Sequence, residues 1–325
     1  MNKFAPLFPF LIPSFSSKGN LLIHTTQGKY VSDNYDLLLA LDIRVSRTYL
    51  VSAYDVYYGF MPQDPLEWPQ TEYLFIDSGG YETNDAFELN ERNKYNYKVL
   101  PWDAEKMETV YQKVITCPKF NNASIILTGF DNTGPFCEQL KAVQLLKSKF
   151  PNATIIFLIK LTFPIEDLTK NIAEEHLPLN DIPIIGITEK ELGNTVKERL
   201  LNLISIKRCL LDCGWTGCIH IFGGLEPSLT KLYYFAGADI FDGLSWQRIR
   251  FQNNSSLFEA SEYIVTQTEY ENRFWMMIDN LAFLQNLCND MSTMNGERNK
   301  NIEKLKTGLL SDEISIQSLL TLLEE

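Results

Sequence analysis

Short β-branched apolar runs alternate with longer segments of helical periodicity through the middle of the chain, a pattern that predicts parallel β/α units. Six runs have the length of strands, and they cover residues 73–77, 124–130, 154–160, 182–188, 219–222 and 240–242. Helical patterns fill the intervals at residues 104–115, 137–149, 165–174, 189–207 and 228–236. This strict alternation predicts an α/β fold built on a parallel sheet.

Two earlier segments, residues 21–24 and 49–53, can bring the strand count to eight. The apolar stretch before them, residues 1–17, is predicted to help close the sheet. Eight parallel strands that alternate with helices predict a (β/α)8 TIM-type barrel, which we assign to residues 1–250. Residues 251–325 are predicted to form a helical C-terminal extension packed on the barrel, with helices at 256–266, 272–287, 301–305 and 311–323 and a linker at 289–301.

The composition indicates the size of the core and the cellular compartment of the protein. The chain has 325 residues, 45% of them hydrophobic, which is enough for one large core. Its apolar runs fall far short of the ~20 residues that a membrane helix needs. Pro6, Pro9 and Pro13 interrupt the apolar N-terminus, which argues against a signal peptide, and six scattered cysteines are typical of reduced thiols. We therefore predict a cytoplasmic protein with no membrane association.

The net charge of −12 restricts how the chain could bind nucleic acid, because phosphate affinity comes mainly from Lys and Arg. Any such surface has to be local. Arg248 and Arg250, with Arg273 further on, form the one basic concentration near a candidate site, and a solvated face is the ordinary interpretation of such a group. A homodimer or a partner protein could supply the remaining contacts.

Aspartates stand at the carboxyl ends of three predicted strands: Asp77 and Asp242 are the last residues of theirs, and Asp131 directly follows the run 124–130. In parallel barrels the working residues lie at the carboxyl ends of strands. A single aspartate there is commonly a turn or helix-cap residue. Three on one rim repel one another, and that cost is usually tolerated where function needs ionisable groups. We therefore predict an active site centred on Asp77 and Asp242.

Glycines beside these aspartates suggest a flat ligand. Gly79 and Gly80 carry no side chain, so that a planar group could approach the backbone, and Tyr81 offers an aromatic face for stacking. Gly186 could serve in the same way inside the run 182–188. Each glycine alone is equally compatible with a turn.

Three segments carry a resemblance to a known family. They are Asp77-Ser78-Gly79-Gly80-Tyr81-Glu82, the stretch from His220-Ile221-Phe222-Gly223-Gly224 to Gly237-Ala238-Asp239-Ile240-Phe241-Asp242, and the looser Gly129-Phe130-Asp131. Together they resemble the tRNA-guanine transglycosylase superfamily, whose barrels exchange a guanine in nucleic acid for a 7-deazaguanine base. The resemblance covers roughly residues 70–250.

The resemblance implies a role for each matching residue. Asp242 would be the nucleophile that attacks the ribosyl C1′ carbon and forms a covalent glycosyl-enzyme link. Asp77 would move the proton between the outgoing and incoming bases. Asp131 would bind the ring N–H and amino donors of the base, Tyr81 would stack on it, and Gly186 would offer backbone contacts to its edge.

Two departures from the family's pattern leave the identity of the base undetermined. Glu82 replaces the family's usual glutamine and adds an acid that could change base preference. Lys160 stands about where the family often has a glutamine facing the base carbonyl.

The family's structural zinc site has no counterpart, because Cys288 is the single cysteine after Asp242. A different group, formed by Cys209, Cys213, Cys218 and His220, has acceptable zinc-ligand types but irregular spacing. Buried core thiols explain these cysteines equally simply. We therefore predict no metal and no other cofactor.

Residues 291–325 are too short and too acidic for the RNA-binding module of tRNA-modifying members. The DpdA-like branch, which inserts 7-deazaguanines into DNA, is similar in lacking such modules. The sequence thus predicts a pentosyltransferase acting on DNA by preference, with a base such as 7-cyano-7-deazaguanine. The alternatives are action on tRNA, a glycoside or nucleoside hydrolase that uses the same paired carboxylates, and a degenerate barrel serving as a partner subunit.

Overall fold

The computed structural model describes residues 9–18, 22–24, 30–32, 38, 48–83, 98–174, 181–252, 255–258, 268–294, 298–310 and 314–324. The described strands are β1 (Phe10–Phe15), β2 (Leu22–His24), β3 (Tyr30–Ser32), β4 (Thr48–Ser52), β5 (Tyr73–Asp77), β6 (Ser124–Thr128), β7 (Thr154–Ile159), β8 (Ile184–Thr188), β9 (Cys218–Phe222), β10 (Ile240–Gly243), β11 (Ile249–Gln252) and β12 (Ser255–Phe258). The described helices are α1 (Ala53–Tyr58), α2 (Ala104–Ile115), α3 (Phe136–Lys149), α4 (Ile165–Glu174), α5 (Val196–Asp212), α6 (Pro227–Ala236), α7 (Glu269–Thr293), α8 (Arg298–Leu309) and α9 (Ile316–Glu324).

Eight of these strands close into one parallel barrel, in the order β1-β10-β9-β8-β7-β6-β5-β4. Helices follow β4, β5, β6, β7, β8 and β9, and the last three helices follow the barrel. The predicted (β/α)8 barrel with a helical C-terminal extension is therefore confirmed. Within the described residues no helix combines the length and the apolarity that crossing a bilayer requires.

The N-terminal part of the strand prediction is half right. The barrel is closed by β1, which pairs Ile12 with Asp242 on one side and Ser14 with Leu50 on the other. Residues 21–24 were expected to be a barrel strand, but β2 pairs antiparallel with β3 in a separate two-stranded sheet. The six residues of β1 are all buried, as expected for a barrel strand that is covered on its inner and its outer face. β2 is shorter, with three residues.

The chain after the barrel also differs from the prediction. Strands β11 and β12 form an antiparallel hairpin where a helix was expected from residue 256, and the rest of that predicted helix lies outside the described residues. The predicted linker at 289–301 is largely helical, because α7 runs to Thr293 and α8 begins at Arg298. A capping box between Thr268 and Glu271 starts α7.

Side-chain alternation along the barrel strands places the site. In the lower interior, meaning the part of the barrel interior that precedes the carboxyl ends of the strands, the inward-facing positions are apolar. They include Ile12, Leu50, Phe75, Ile156 and Ile240. Two residues further along four of these strands the same face carries Ser14, Ser52, Asp77 and Asp242, since successive side chains of a strand alternate between faces. The barrel interior therefore becomes polar at the carboxyl ends of its strands.

Candidate active site

Asp242 lies at the carboxyl end of β10 with 6% of its surface exposed. Its Oδ2 accepts a hydrogen bond of 2.8 Å from the Ser14 hydroxyl, and its Oδ1 lies 3.1 Å from Nε2 of His220. The backbone N–H of Gly223 also donates to Oδ1, at 3.3 Å. Both oxygens are thus held by groups from β1 and from β9 with the residue that follows it, which fixes the orientation of the carboxylate.

Asp77 ends β5 and is half-buried at the same end of the barrel. Burial raises the pKa of Asp77 well above its usual range, and the negative charges of Glu82 and Asp131 raise it further. The Gly79 N–H, which donates to Asp77 Oδ2 at 3.1 Å, opposes this effect, and the charge of Asp242 adds a smaller increase to the pKa. Asp77 is therefore suited to hold a proton and release it to a neighbour.

Asp131 is held between a hydroxyl and an ammonium group. Its Oδ2 accepts from Ser78 Oγ at 2.7 Å, and its Oδ1 lies 3.1 Å from Nζ of Lys160. The same ammonium lies 2.5 Å from Glu191. Burial lowers the pKa of Lys160, but the charges of Asp131 and Glu191 outweigh it, so that the pKa is raised. The predicted base-binding residues Asp131 and Lys160 are thus in direct contact.

The glycines after β5 are explained by protein packing. Gly79 has a φ of +89°, and a Cβ there would lie 2.7 Å from Cβ of Tyr54 and 2.9 Å from Nε1 of Trp102. A Cβ on Gly80 would lie 2.0 Å from the Asp131 carboxylate. The space expected for a flat ligand directly over these two residues is therefore occupied by side chains.

Gly186 is buried in the middle of β8. A Cβ at this position would lie 2.6 Å from the Phe222 ring and 2.9 Å from Ile156. The aromatic ring requires a glycine here, and a backbone contact from Gly186 to a base stays a prediction.

Glu82 lies within the protein at 1% exposure. The hydroxyl of Ser16 donates to its Oε1, and Ser52 donates to its Oε2 at 2.8 Å. Burial raises the pKa of Glu82, and these two hydrogen bonds lower it in part. Because both oxygens already have partners, the geometry favours a supporting role over the base contact that the sequence suggested.

A second buried acid, Asp55 of α1, was missed by the sequence prediction. Ser17 donates to it twice, from its hydroxyl and from its backbone N–H at 2.6 Å. Burial raises the pKa of Asp55 well above its usual range, and the charge of Glu82 raises it further. The segment after β1 thus provides hydroxyl donors to two buried acids from other elements.

Tyr81 is exposed at 37%, and Lys18 covers one face of its ring with Nζ 4.7 Å from the ring centroid. Arg248 donates to its hydroxyl at 3.2 Å. Of the other two arginines, Arg250 pairs with Asp279 on the surface and Arg273 is 3% exposed. The three arginines therefore do not form a common solvated face, and Arg248 alone reaches the predicted site.

The four residues that the sequence offered as zinc-ligand types, Cys209, Cys213, Cys218 and His220, have separate partners in the structure. Cys209 lies on α5 and Cys213 directly follows it, and their thiols donate to carbonyl groups of α4. Cys218 belongs to the lower barrel interior, whereas His220 binds Asp242. In the part of the chain that the structure describes, no three His, Cys, Asp or Glu side chains converge on a metal position.

A cavity of about 510 Å³ opens beside Gly80 and Asp131. Its remaining lining residues are Thr83, Val99, Leu100, Pro101, Trp102 and Phe130. One wall is thus mostly apolar, and the Asp131 carboxylate supplies a polar group at one side.

No family model matches the chain, and no curated protein matches it either.

The sequence prediction missed the residues that hold the acids in place, chiefly Ser14, Ser16, Ser52 and His220. A signal for the first two was present, since positions 10, 12, 14, 16 and 18 alternate with the outward-facing positions and change from apolar to polar along β1. Applied to residues 1–17, that alternation would have placed Ser14 and Ser16 on the inward face.

Proposed function

We propose that this protein is a base-exchange transglycosylase that replaces a guanine in nucleic acid, preferably DNA, with a 7-deazaguanine such as 7-cyano-7-deazaguanine. The observation that carries the proposal is the pairing of two unlike acids at one barrel end. Asp242 is held by Ser14, His220 and the Gly223 N–H, and Asp77 has a raised pKa. A nucleophile and a proton donor are the two groups that such an exchange needs.

In the first half of the proposed reaction, Asp242 attacks the C1′ carbon of the nucleotide. A bond forms between the carboxylate oxygen and C1′, and the bond from C1′ to the guanine nitrogen breaks with its electron pair going to the base. Asp77 gives its proton to the leaving base. A carboxylate suits this step because it can attack an oxocarbenium-like centre and leave again.

The second half reverses these movements with a different base. The Asp77 carboxylate accepts a proton from the ring nitrogen of the incoming 7-deazaguanine, and that nitrogen attacks C1′. The link to Asp242 breaks, and the carboxylate is restored. No oxidant, reductant or metal is needed, because one glycosidic bond replaces another.

Recognition of the base is assigned to Asp131 and to the adjoining cavity. A carboxylate accepts from ring N–H and amino groups, and a volume of about 510 Å³ lies within the range of small-molecule sites. Lys160, whose ammonium contacts Asp131 at 3.1 Å, is suited to a carbonyl on the same edge. Asp131 would thus accept hydrogen bonds from the donor groups of the base, and Lys160 would donate to the neighbouring carbonyl oxygen.

The polymer is proposed to approach over Tyr81, where Arg248 brings positive charge to the barrel end and the buried Lys18 lies against the Tyr81 ring. Because 41 acidic residues outnumber 29 basic ones, a second copy or a partner protein is expected to add phosphate contacts. Binding should therefore weaken steeply as the salt concentration rises.

Hydrolysis of a glycoside or nucleoside is the second candidate. A protonated acid beside a carboxylate is also the apparatus of retaining glycosidases. In that case water would complete the reaction, and free base would appear without any incorporation of a new one.

The test is incubation of purified protein with radiolabelled guanine or 7-cyano-7-deazaguanine and, in separate reactions, duplex DNA or bulk tRNA. Label in DNA supports the proposal, and label in tRNA alone moves the activity to the RNA substrate. Release of unlabelled guanine with no uptake of label supports the hydrolytic candidate, and neither event in either polymer contradicts both.

A further inference from the structure

The two oxygens of Asp242 have different surroundings, although they belong to one carboxylate. Oδ1 has two neighbouring groups, Nε2 of His220 at 3.1 Å and the Gly223 N–H at 3.3 Å. Within the part of the chain that the structure describes, Oδ2 has one, the Ser14 hydroxyl at 2.8 Å. Because each carboxylate oxygen accepts about two hydrogen bonds, Oδ1 is saturated and Oδ2 keeps one free lone-pair direction.

We propose that Oδ2 is the atom of Asp242 that attacks C1′, and that His220 is the positioning residue that assigns this role by occupying Oδ1. The inference rests on the proposed function and deepens it. In the covalent intermediate, Oδ2 becomes the oxygen bonded to C1′, and Oδ1 becomes the carbonyl oxygen of the ester. When the incoming base displaces the sugar, charge returns to the carboxylate, and the two donors at Oδ1 stabilise it.

His220 has to donate for this arrangement to hold. A carboxylate only accepts, so the proton of the contact lies on Nε2. Nδ1 is buried and has no hydrogen-bond partner among the described residues. A proton on Nδ1 would leave a buried donor unsatisfied, which is unfavourable. The packing thus favours the tautomer with the proton on Nε2.

The ring of His220 is also fixed in place. Its side chain is fully buried, it stacks on Phe222 at a centroid distance of 3.9 Å and an interplanar angle of 24°, and it meets Phe75 edge to face at 6.0 Å. The ring therefore does not reach bulk solvent and cannot touch a substrate directly. Its influence on the reaction passes through Asp242.

Nitrogen NMR tests the tautomer without any need for activity. The chain has three histidines, so ¹⁵N-histidine labelling gives few ring signals, and the variant His220→Gln identifies those of His220. We expect a proton on Nε2. A ring whose Nε2 carries no proton would overturn the inference.

Three substitutions test the effect on the reaction. Gln places an amide N–H near the position of Nε2, Asn places one nearer to Nδ1, and Phe keeps the stacked ring without a donor. We expect His220→Phe and His220→Asn to lower kcat for incorporation of labelled guanine by about 10²-fold, the effect of losing one donor to developing charge, with KM little changed. His220→Gln should retain kcat within about tenfold of the wild type.

Outcomes separate the two proposals. Equal kcat for wild type, His220→Phe and His220→Gln, with melting temperatures alike, would overturn the role of His220 while the exchange activity stands. A wild-type protein that incorporates no label into DNA or tRNA would instead overturn the proposed function, and the attack by Oδ2 with it. Should His220→Phe fail to fold, the tautomer and the pair of amide variants still decide the question.

Discussion

Two aspartates three residues apart show how the two ends of the barrel differ. Asp239 precedes β10 at the amino end and Asp242 lies near its carboxyl end, and they are 5% and 6% exposed. Asp239 is neutralised by Arg298 at 2.6 Å and Lys207 at 3.6 Å. Among the described residues Asp242 has no Lys or Arg partner. At equal burial, Asp239 therefore contacts two basic side chains, whereas Asp242 contacts Ser14, His220 and a backbone N–H.

The pairing at the amino end joins the C-terminal extension to the barrel. Arg298 of α8 donates to the carbonyl groups of Tyr234 and Ala238, and its guanidinium lies 4.4 Å from the centroid of the Tyr234 ring. Asp239 in turn accepts from the backbone N–H of Ile219 at 2.9 Å. Asp239 at the amino end of β10 is thus committed to ion pairs that stabilise the fold, whereas Asp242 at the carboxyl end, the end that carries chemistry in this fold, has no Lys or Arg partner among the described residues.

The largest expected effect is on activity, from Asp242→Asn. Removing the nucleophile should lower incorporation of labelled guanine by on the order of 10⁴-fold or more. The variant should melt at or above the wild-type temperature, because it removes a buried carboxylate that has no Lys or Arg partner among the described residues. Asp239→Asn is the matched control and should do the reverse, lowering the melting temperature while folded protein keeps its activity. Full exchange by Asp242→Asn would remove its role as nucleophile.

Asp77→Asn should lower kcat by about 10²- to 10⁴-fold, the contribution of a general acid. Binding of 7-cyano-7-deazaguanine, followed by isothermal titration calorimetry, should persist because Asp131 and Lys160 are intact. Since the pKa of Asp77 is raised, wild-type activity should fall on the alkaline side as the acid loses its proton. A variant that turns over at the wild-type rate would exclude Asp77 as the acid.

At the opposite end, Arg298→Ala should lower the free energy of unfolding by about 3 kcal/mol, the lower part of the range for breaking a buried pair, because Lys207 remains near Asp239. Urea unfolding measures this change. Arg208→Ala is the control, since its pair with Glu303 is exposed and should contribute about 0–1 kcal/mol. Equal losses in the two variants would show that burial of Asp239 is not what makes its pairing important.

The smallest effect concerns pH and Asp55. Because the pKa of Asp55 is raised in the folded state, the unfolded chain loses this proton first as the pH rises above about 4. The stability present below that pH is then lost as the pH rises through the folded pKa. Asp55→Asn does not titrate, so its free energy of unfolding should improve relative to the wild type between pH 4.5 and pH 8. A constant difference across that interval would contradict the raised pKa.

The parallel barrel was predictable because its middle strands are short, β-branched and regularly spaced. Strand β5 and helices α2 and α4 have the predicted bounds. The first strand was harder to place, since Pro9 and Pro13 flank and interrupt an apolar run that lacks clear turn signals. The β11–β12 hairpin was missed because its polar residues resemble the start of a helix.

The site was predictable in part. Asp77 and Asp242 could be identified from their positions at the ends of predicted strands, because the carboxyl ends of all strands in a parallel barrel lie at the same end of the barrel. Partners such as Ser14 and Asp242 are 228 residues apart in sequence, and the register of β1 against β10 was needed to pair them. The role of Gly80 likewise depended on the position of the Asp131 side chain, which local sequence does not determine.

The most direct test of the central claim is to map the covalent intermediate. Wild-type protein would be incubated with duplex DNA or tRNA in the absence of free base, quenched with acid, digested with nuclease and protease, and analysed by mass spectrometry. We predict a pentosyl adduct on the peptide that contains Asp242, which disappears when guanine is added before the quench and never forms in Asp242→Asn. Exchange of labelled base with no adduct at Asp242, or with an adduct on another residue, would contradict the account.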